Sequence, residues 1–224
     1  MFDIDLIKSR HSVRSYTSKE IPSDIVEQLN KEIEVCNKEG NLNMQLITND
    51  KEAFGGMKAS YGVLKGVTNY IVMAGKNDAT LGERLGYFGE HIVLKAQELG
   101  LNTCWVGMSF IYNDMKELYT LKSGESKKLI IAIGYGETQG HERKSKCIYD
   151  VARVEGEIPE WFKRGIEYAL YAPTAMNQQK FKFYLDGNKV KLKYSLAFYG
   201  KVDKGIVKYH FELGAGKENF TWAK

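Results

Sequence analysis

Two short patterns occur twice in this chain, in the same order, and they constrain its architecture more than any other feature. Each occurrence opens with a helix, an Asn-x-Gln and a strand: Asn43-Met44-Gln45 first, Asn177-Gln178-Gln179 second. Each continues to a helix of pattern G-[YI]-[FV]-x-x-H-[IF]-x-L, running from Gly86 through His91 to Leu94 and again from Gly205 through His210 to Leu213. A tryptophan, Trp105 or Trp222, closes each. Repetition of this kind implies an internal duplication whose second copy is the shorter one. Two copies packed together would imitate a homodimer within one chain. The expected halves are residues 1–150 and 151–224, joined in one compact unit, since no Ser/Gly-rich linker separates them.

Local patterning fills in the elements. Ile4, Leu6 and Ile7 predict a short helix ending near Ser9. Ser23 reads as the N-cap of a longer one, with Val26, Leu29, Ile33 and Cys36 at helical spacing and a loop from Asn37 to Asn41. Met44–Thr48, Asn69–Ala74, Thr103–Val106 and Lys128–Ile133 read as strands, with a short helix near Asp114–Tyr119. Leu85, Phe88, Ile92, Ala96 and Leu99 line a long helix that Gly100 stops. A helix from Pro159 to Tyr171 leads to the loop Ala172–Asn177. A hairpin turning at Asp186-Gly187-Asn188 and a last helix beginning near Asp203 complete the chain.

Composition excludes several functions. The apolar stretches have strand length, which speaks against a membrane span and a membrane partner. Acidic residues stand where a signal peptide would carry lysines. Cys36, Cys104 and Cys147 form neither a disulfide framework nor a metal motif, so a cytoplasmic location is expected, with no metal. The formal charge of +4 leans toward small anionic ligands, while no zinc-finger spacing or basic run with interleaved aromatics suggests nucleic acid. His91 and His210 lie inside helical patterns and are read as packing or interhelical hydrogen-bonding residues, not catalysts.

Three clusters carry chemistry. Arg10-His11-Ser12-Val13-Arg14 offers two guanidinium forks and a hydroxyl to a phosphate, though alone it also fits a solvated basic loop. Ala172-Pro173-Thr174-Ala175-Met176-Asn177-Gln178-Gln179 can present a rigid turn to a flat heterocycle, or simply join a helix to a strand. Gly100–Gly107 (GLNTCWVG) ends a strand at a glycine, where backbone N–H groups can approach a ligand, or buries Trp105 in a core.

Taken in order, these segments resemble the FMN-dependent nitroreductase family. Arg10, Ser12 and Arg14 match its R-x-S-x-[RK] phosphate motif, and Gly100–Gly107 its G-L-G-T-C-W-x-G stretch with Asn102 in place of a glycine. Ile131–Gly136, followed by Arg143, Lys144 and Lys146, resembles its I-x-x-G-Y-P strand and basic tail, with Gly136 replacing the proline. Pro173–Gln179 resembles its P-S-x-x-N-x-Q loop, displaced here from the first half, where Cys36–Asn43 stands, to the second.

The resemblance implies an α+β fold, a central mixed or antiparallel sheet flanked by helices, with two pseudo-symmetric halves. It implies one FMN per chain. Arg10, Ser12 and Arg14 would hold the phosphate and ribityl end, with His11 lending an N–H and Lys144 and Lys146 assisting, Arg143 competing with them. Val106 and Gly107 would direct backbone N–H groups at the flavin ring, and Pro173, Thr174 and Asn177 would contact the flavin from the second half. The implied activity is ping-pong reduction of a small-molecule electron acceptor, such as a nitroaromatic or quinone, by NAD(P)H. With no Gly-x-Gly-x-x-Gly after a strand, the reductant is expected to share the flavin site. No side-chain nucleophile or acid–base pair is required, because the flavin carries the chemistry. A flavin-binding protein without turnover is the alternative. The expected assembly is a monomer acting as a pseudo-dimer, with a homodimer left open.

Overall fold

The computed structural model describes residues 2–51, 64–107 and 118–223. Most of the helix expected near Asp114 lies outside them. Packing divides the chain into two units. One comprises residues 9–81 and 91–142; the other comprises residues 1–8, 82–90 and 143–224. The whole expected second half thus falls in the latter, together with residues 1–8, 82–90 and 143–150 of the first.

The unit of residues 9–81 and 91–142 is built on a four-stranded antiparallel sheet. Its strands are β1 (Gln45–Ile47), β2 (Tyr70–Lys76), β3 (Asn102–Val106) and β4 (Glu125–Gly134), in the order β1-β2-β4-β3. The continuous apolar runs of β2 and β4 reflect their central positions: Tyr70, Ile71, Val72, Met73, Ala74, Ile130, Ile131 and Ala132 have no exposed surface. Helix α2 (Ser23–Gly40) buries Leu29, Ile33 and Cys36, while Val26 is only half-buried.

Two details of α2 differ from the sequence expectation. Pro22, not Ser23, occupies the N-cap, and Ser23 makes no capping hydrogen bond with its side chain. Residues 37–40 continue the helix instead of forming a loop, because Asn41 adopts the left-handed conformation that ends it (φ 48°). Asn37, expected in that loop, bridges to Met44 with both ends of its amide (2.9 and 2.8 Å).

The other unit contains α1 (Ile4–Ser9) up to Lys8, the first half of α3 (Leu81–Glu98), a single turn α4 (Ile148–Val151), and α5 (Glu160–Ala169) and α6 (Gly200–Ala215). Its sheet, β5 (Ala152–Val154), β6 (Phe181–Asp186), β7 (Lys189–Tyr194) and β8 (Thr221–Trp222), runs in chain order. The expected hairpin is β6–β7, and β5 and β8 flank it in parallel. Strict alternation along the hairpin turns Phe181, Phe183, Val190 and Leu192 inward and the lysines between them outward. An aromatic cluster fills the inner side: Phe183 stacks on Phe211 at 4.6 Å, with Phe162 and Phe220 edge-on to Phe211. Helix α6 starts three residues before the expected Asp203, since Tyr199 caps it in a left-handed conformation that carries no sequence signature. Among the described residues, no helix is long and apolar enough to cross a membrane, and no group of three or more His, Cys, Asp or Glu could hold a metal ion.

Candidate functional site

The predicted site residues fall in two clusters, one in each unit. Arg10, His11, Ser12, Arg14, Val106 and Gly107 belong to the first, and Lys144, Lys146, Pro173, Thr174 and Asn177 to the second.

In the first cluster, residues 12–17 run extended along the sheet. Ser12 bridges Thr103 of β3, Val13 N–H donates to Thr103 O (3.0 Å), and Tyr16 bridges Gly136. Val13 and Tyr16 are buried, packed with Leu64, Val67, Cys104 and Ala132. Ser12, Arg14 and Arg10 all act on the Cys104 thiol. Burial nevertheless pushes that thiol up against their pull, so Cys104 stays neutral. Tyr16 is likewise raised, by burial first and by Cys104 second.

Arg10 is the informative member. It is 5% exposed, and its Nε finds no hydrogen-bond partner among the described residues. A buried guanidinium with an unmade bond implies a missing acceptor. Arg14, beside it, is exposed. The nearby carboxylate of Glu137 accepts the Ser15 hydroxyl (2.6 Å). His11 packs against Gly140, where an added Cβ would meet its own at 2.6 Å. Val106 ends β3 and Gly107 follows it, both half-exposed.

The two departures from the family pattern turn out to be one. Gly136 N–H donates to Asn102 Oδ1 (2.9 Å), and Asn102 Nδ2 donates to Gln139 Oε1 (2.9 Å). A proline at 136 has no N–H to give. Asparagine for glycine at 102 and glycine for proline at 136 therefore compensate each other.

In the second cluster the loop 172–179 is held from three sides. Arg143 donates to Leu170 O (2.6 Å), Ala172 O (2.8 Å) and, more weakly, Asn177 Oδ1 (3.4 Å), covering the carbonyls that the end of α5 leaves open. Asn177 Nδ2 and Gln179 Nε2 both donate to Lys144 O (2.9 and 3.0 Å), Gln179 Nε2 also donates to Asn177 Oδ1 (2.9 Å), and Lys146 N–H donates to Gln179 Oε1 (3.0 Å). The Lys146 ammonium is taken by Gln179 O (2.8 Å). Lys144 is exposed and its ammonium makes no hydrogen bond among the described residues. Of the three basic candidates it is the one free to meet a phosphate. Met176, Asn177 and Gln179 all have positive φ (51°, 53° and 46°), so strain is concentrated in this turn.

The other Asn-x-Gln makes the same clamp. Asn43 Nδ2 and Gln45 Nε2 both donate to Thr120 O (2.9 and 2.8 Å), Gln45 Nε2 donates to Asn43 Oδ1 (3.2 Å), and Thr120 N–H donates to Gln45 Oε1 (3.0 Å).

Sequence reasoning missed Asp203. This residue of the first turn of α6 is 3% exposed and receives Ala175 N–H on both carboxylate oxygens (3.1 and 3.2 Å) and the Tyr194 hydroxyl (2.7 Å). It thereby fixes the middle of the loop, and nothing local announces it. Burial pushes its carboxyl from 3.8 up to about 6, against the pull of those bonds. A carboxyl raised on folding contributes stability that is fully present below about pH 3.8 and is lost as pH rises through about 6. The stability of Asp203→Asn relative to wild type should accordingly increase across that window, by up to about 3 kcal/mol, and level off above pH 7. Urea unfolding of both proteins from pH 3.5 to 8 measures it. A difference independent of pH would show that the carboxylate bears no burial cost.

His91 and His210 occupy interhelical contacts. His91 meets Glu32 of α2, and His210 Nε2 lies 2.8 Å from Glu90 Oε1 between α6 and α3, with both side chains fully buried.

A family model described as "Putative TM nitroreductase" matches residues 3–215. Among solved structures, one described as a "putative nitroreductase" from Thermotoga maritima aligns with TM-score 0.64 and 21% identity, over 94% of this chain and 82% of its own. An FMN-dependent nitroreductase from Clostridium difficile aligns at 0.50 and 23%, and nitroreductase A from Vibrio parahaemolyticus at 0.51 and 14%. The alignments cover 66% and 63% of this chain, and 94% and 70% of those proteins respectively. No curated protein matches the sequence significantly.

Proposed function

We propose, from the premise that the chain belongs to the nitroreductase family whose model spans residues 3–215, that it is an FMN-dependent oxidoreductase carrying hydride from NAD(P)H to an electron-poor acceptor such as a nitroaromatic or quinone. The observation that carries the reading is Arg10: a buried guanidinium with an unmet donor, beside Ser12 and Arg14, at the family's phosphate motif. When bound, FMN supplies the hydride chemistry.

The chain's own share is binding and orientation. Arg10, Ser12 and Arg14 hold the phosphate through charge-assisted bonds, and Lys144 adds a point charge. The backbone at Val106 and Gly107 is where the family resemblance would place N–H dipoles that stabilise negative charge on the ring. Pro173, Thr174 and Asn177, the flavin contacts that the family resemblance implies, stand on a loop whose shape Arg143, Gln179 and Asp203 set. No side chain has to exchange a proton: Cys104 and Tyr16 are both held neutral by burial.

The C. difficile nitroreductase is covered almost whole by two-thirds of this chain, which supports reading the remainder as an appended partial copy that takes the place of a partner subunit. The protein should therefore bind one FMN per chain. Flavin absorbance against protein concentration after reconstitution measures the ratio, and steady-state oxidation of NADH or NADPH with an added quinone measures the activity. Two flavins per chain would reject the appended-copy reading. Stable flavin binding with no NAD(P)H oxidation across nitroaromatic and quinone acceptors would replace the enzyme by a flavin carrier.

A further inference from the structure

The outer face of the β5–β8 sheet carries a charge pattern that neither the fold nor the flavin explains. Lys182, Lys189, Lys191 and Lys193 point outward from β6 and β7, and Arg153 from β5. Asp186, in register with Lys189, is the carboxylate on this face among the described residues. Lys182 and Lys193 lie directly opposite each other, a like-charge pair that costs stability. None of the four lysines forms an ion pair among the described residues; Lys193 instead sits over the Tyr184 ring, 4.9 Å from its centroid. Lysines often guard sheet edges against pairing. Here β5 covers β6 at Phe183–Leu185 and β8 covers β7 at Lys189 and Val190, so edge protection bears on Lys182, Lys191 and Lys193, but it does not ask for Lys182 and Lys193 to stand opposite each other on one face. An anionic partner offsets the repulsion of that pair.

A second observation selects the partner. The loop leaving β7 exposes Leu196 almost completely (98%) and Phe198 by 68%. Lys180, just before β6, donates its ammonium to Leu196 O (3.3 Å), which places this loop at the rim of the lysine face. An exposed leucine gains nothing from a nucleic-acid backbone, whereas it is removed from water in the acyl region of a bilayer. Lysine, a flexible point charge, suits a diffuse anionic surface better than the bidentate recognition of single phosphates, for which arginine is the better fork. Tyr184, amphipathic and central, fits the headgroup level.

We propose that the lysine face of this sheet, with the Leu196–Phe198 loop at its rim, docks on an anionic lipid bilayer. The partner is a surface, not a span, and the proposal departs from the sequence expectation of no membrane partner. It is independent of the flavin reading.

The test is co-sedimentation of the full chain with phosphatidylcholine vesicles and with vesicles containing about 30 mol% phosphatidylserine. Binding should be confined to the anionic vesicles and should fall as salt rises. Lys182→Gln/Lys191→Gln/Lys193→Gln should lower the partition coefficient at least about tenfold. Leu196→Ser/Phe198→Ser should lower it about threefold or more, while circular dichroism of both variants stays that of the wild type. Equal binding to both vesicle types, an unchanged partition of the lysine variant, or no vesicle binding at low salt would each overturn the proposal. Selective binding of a single-stranded RNA oligonucleotide by the same face, without vesicle binding, would replace the bilayer with nucleic acid.

Discussion

Alanine at Gly86 or Gly205 is expected to lower stability by at least about 3 kcal/mol each. A Cβ at Gly86 would lie 1.9 Å from Val202 O, and one at Gly205 would lie 2.0 Å from Glu83 O and 2.7 Å from Tyr87 N. All three are backbone atoms of the facing helix, so no side chain can swing away. Relief requires the helices α3 and α6 to separate, which would disturb the Glu83 bonds to Lys204 and Lys208 and the buried Glu90–His210 pair. The intrinsic gain of alanine over glycine in a helix, about 1 kcal/mol, works against the loss and is smaller than it.

Once one substitution has separated the helices, the second meets a gap already opened. The double variant should therefore cost clearly less than the two single costs added. Gly124, whose φ is +79° with nothing within 4 Å of an added Cβ, is the control and should cost about 1 kcal/mol as alanine. Denaturant unfolding of the four variants gives the comparison. If Gly86→Ala cost no more than Gly124→Ala, the close approach of the two helices would be wrong.

These contacts also bear on the duplication. Each glycine faces the carbonyl of the residue three positions before the other glycine: Gly86 faces Val202 and Gly205 faces Glu83. Under the alignment of Gly86 with Gly205, either contact maps onto the other, as it would across an isologous two-fold interface. The repeated Asn-x-Gln clamp agrees, since both copies grip a backbone carbonyl with two amides and return an acceptor to a nearby N–H. Both features support the appended-copy reading through geometry that chance matches of short sequence would not bring with them.

Much of this was legible in the residues because it rests on periodicity. The alternation Lys182, Phe183, Tyr184 and the unbroken run Tyr70–Ala74 announce a one-sided and a two-sided strand before any coordinates. What escaped is non-local. Lys146, and Arg143 as its competitor, read as candidates to assist at the phosphate, yet in the structure both donate to carbonyls, of Gln179 and of Leu170 and Ala172, that are distant in sequence. Asp203 holds Ala175 across 28 residues. Asn102 and Gly136 were visible as two departures, but only their hydrogen bond shows that one answers the other. Helix ends failed for a related reason: Tyr199 and Asn41 take left-handed backbone that their side chains do not demand.

Removing the two guanidinium groups together, as Arg10→Met/Arg14→Gln, is expected to weaken FMN binding by about two to four orders of magnitude. Each charge-assisted contact contributes about 1.5–3 kcal/mol, and tenfold in affinity corresponds to about 1.4 kcal/mol. The two shares should be unequal. Arg14 is exposed, so water and salt screen it and its removal alone should cost about tenfold. Arg10 is buried with an unmet Nε, so it acts where solvent competes least, and its loss should account for most of the effect. Methionine keeps much of the buried volume, which limits a cavity as a competing explanation. Arg10→Lys should recover only part of the affinity, because an ammonium retains the charge without the fork.

Fluorescence titration of the apoprotein with FMN and, in parallel, with riboflavin isolates the phosphate. The wild type should prefer FMN strongly, and the double variant should bind the two almost equally, with riboflavin affinity nearly unchanged. A parallel loss for both ligands would mean that the arginines hold up the protein and not the phosphate. An undiminished preference for FMN would place the phosphate elsewhere, and the role assigned to Arg10 would fall with it.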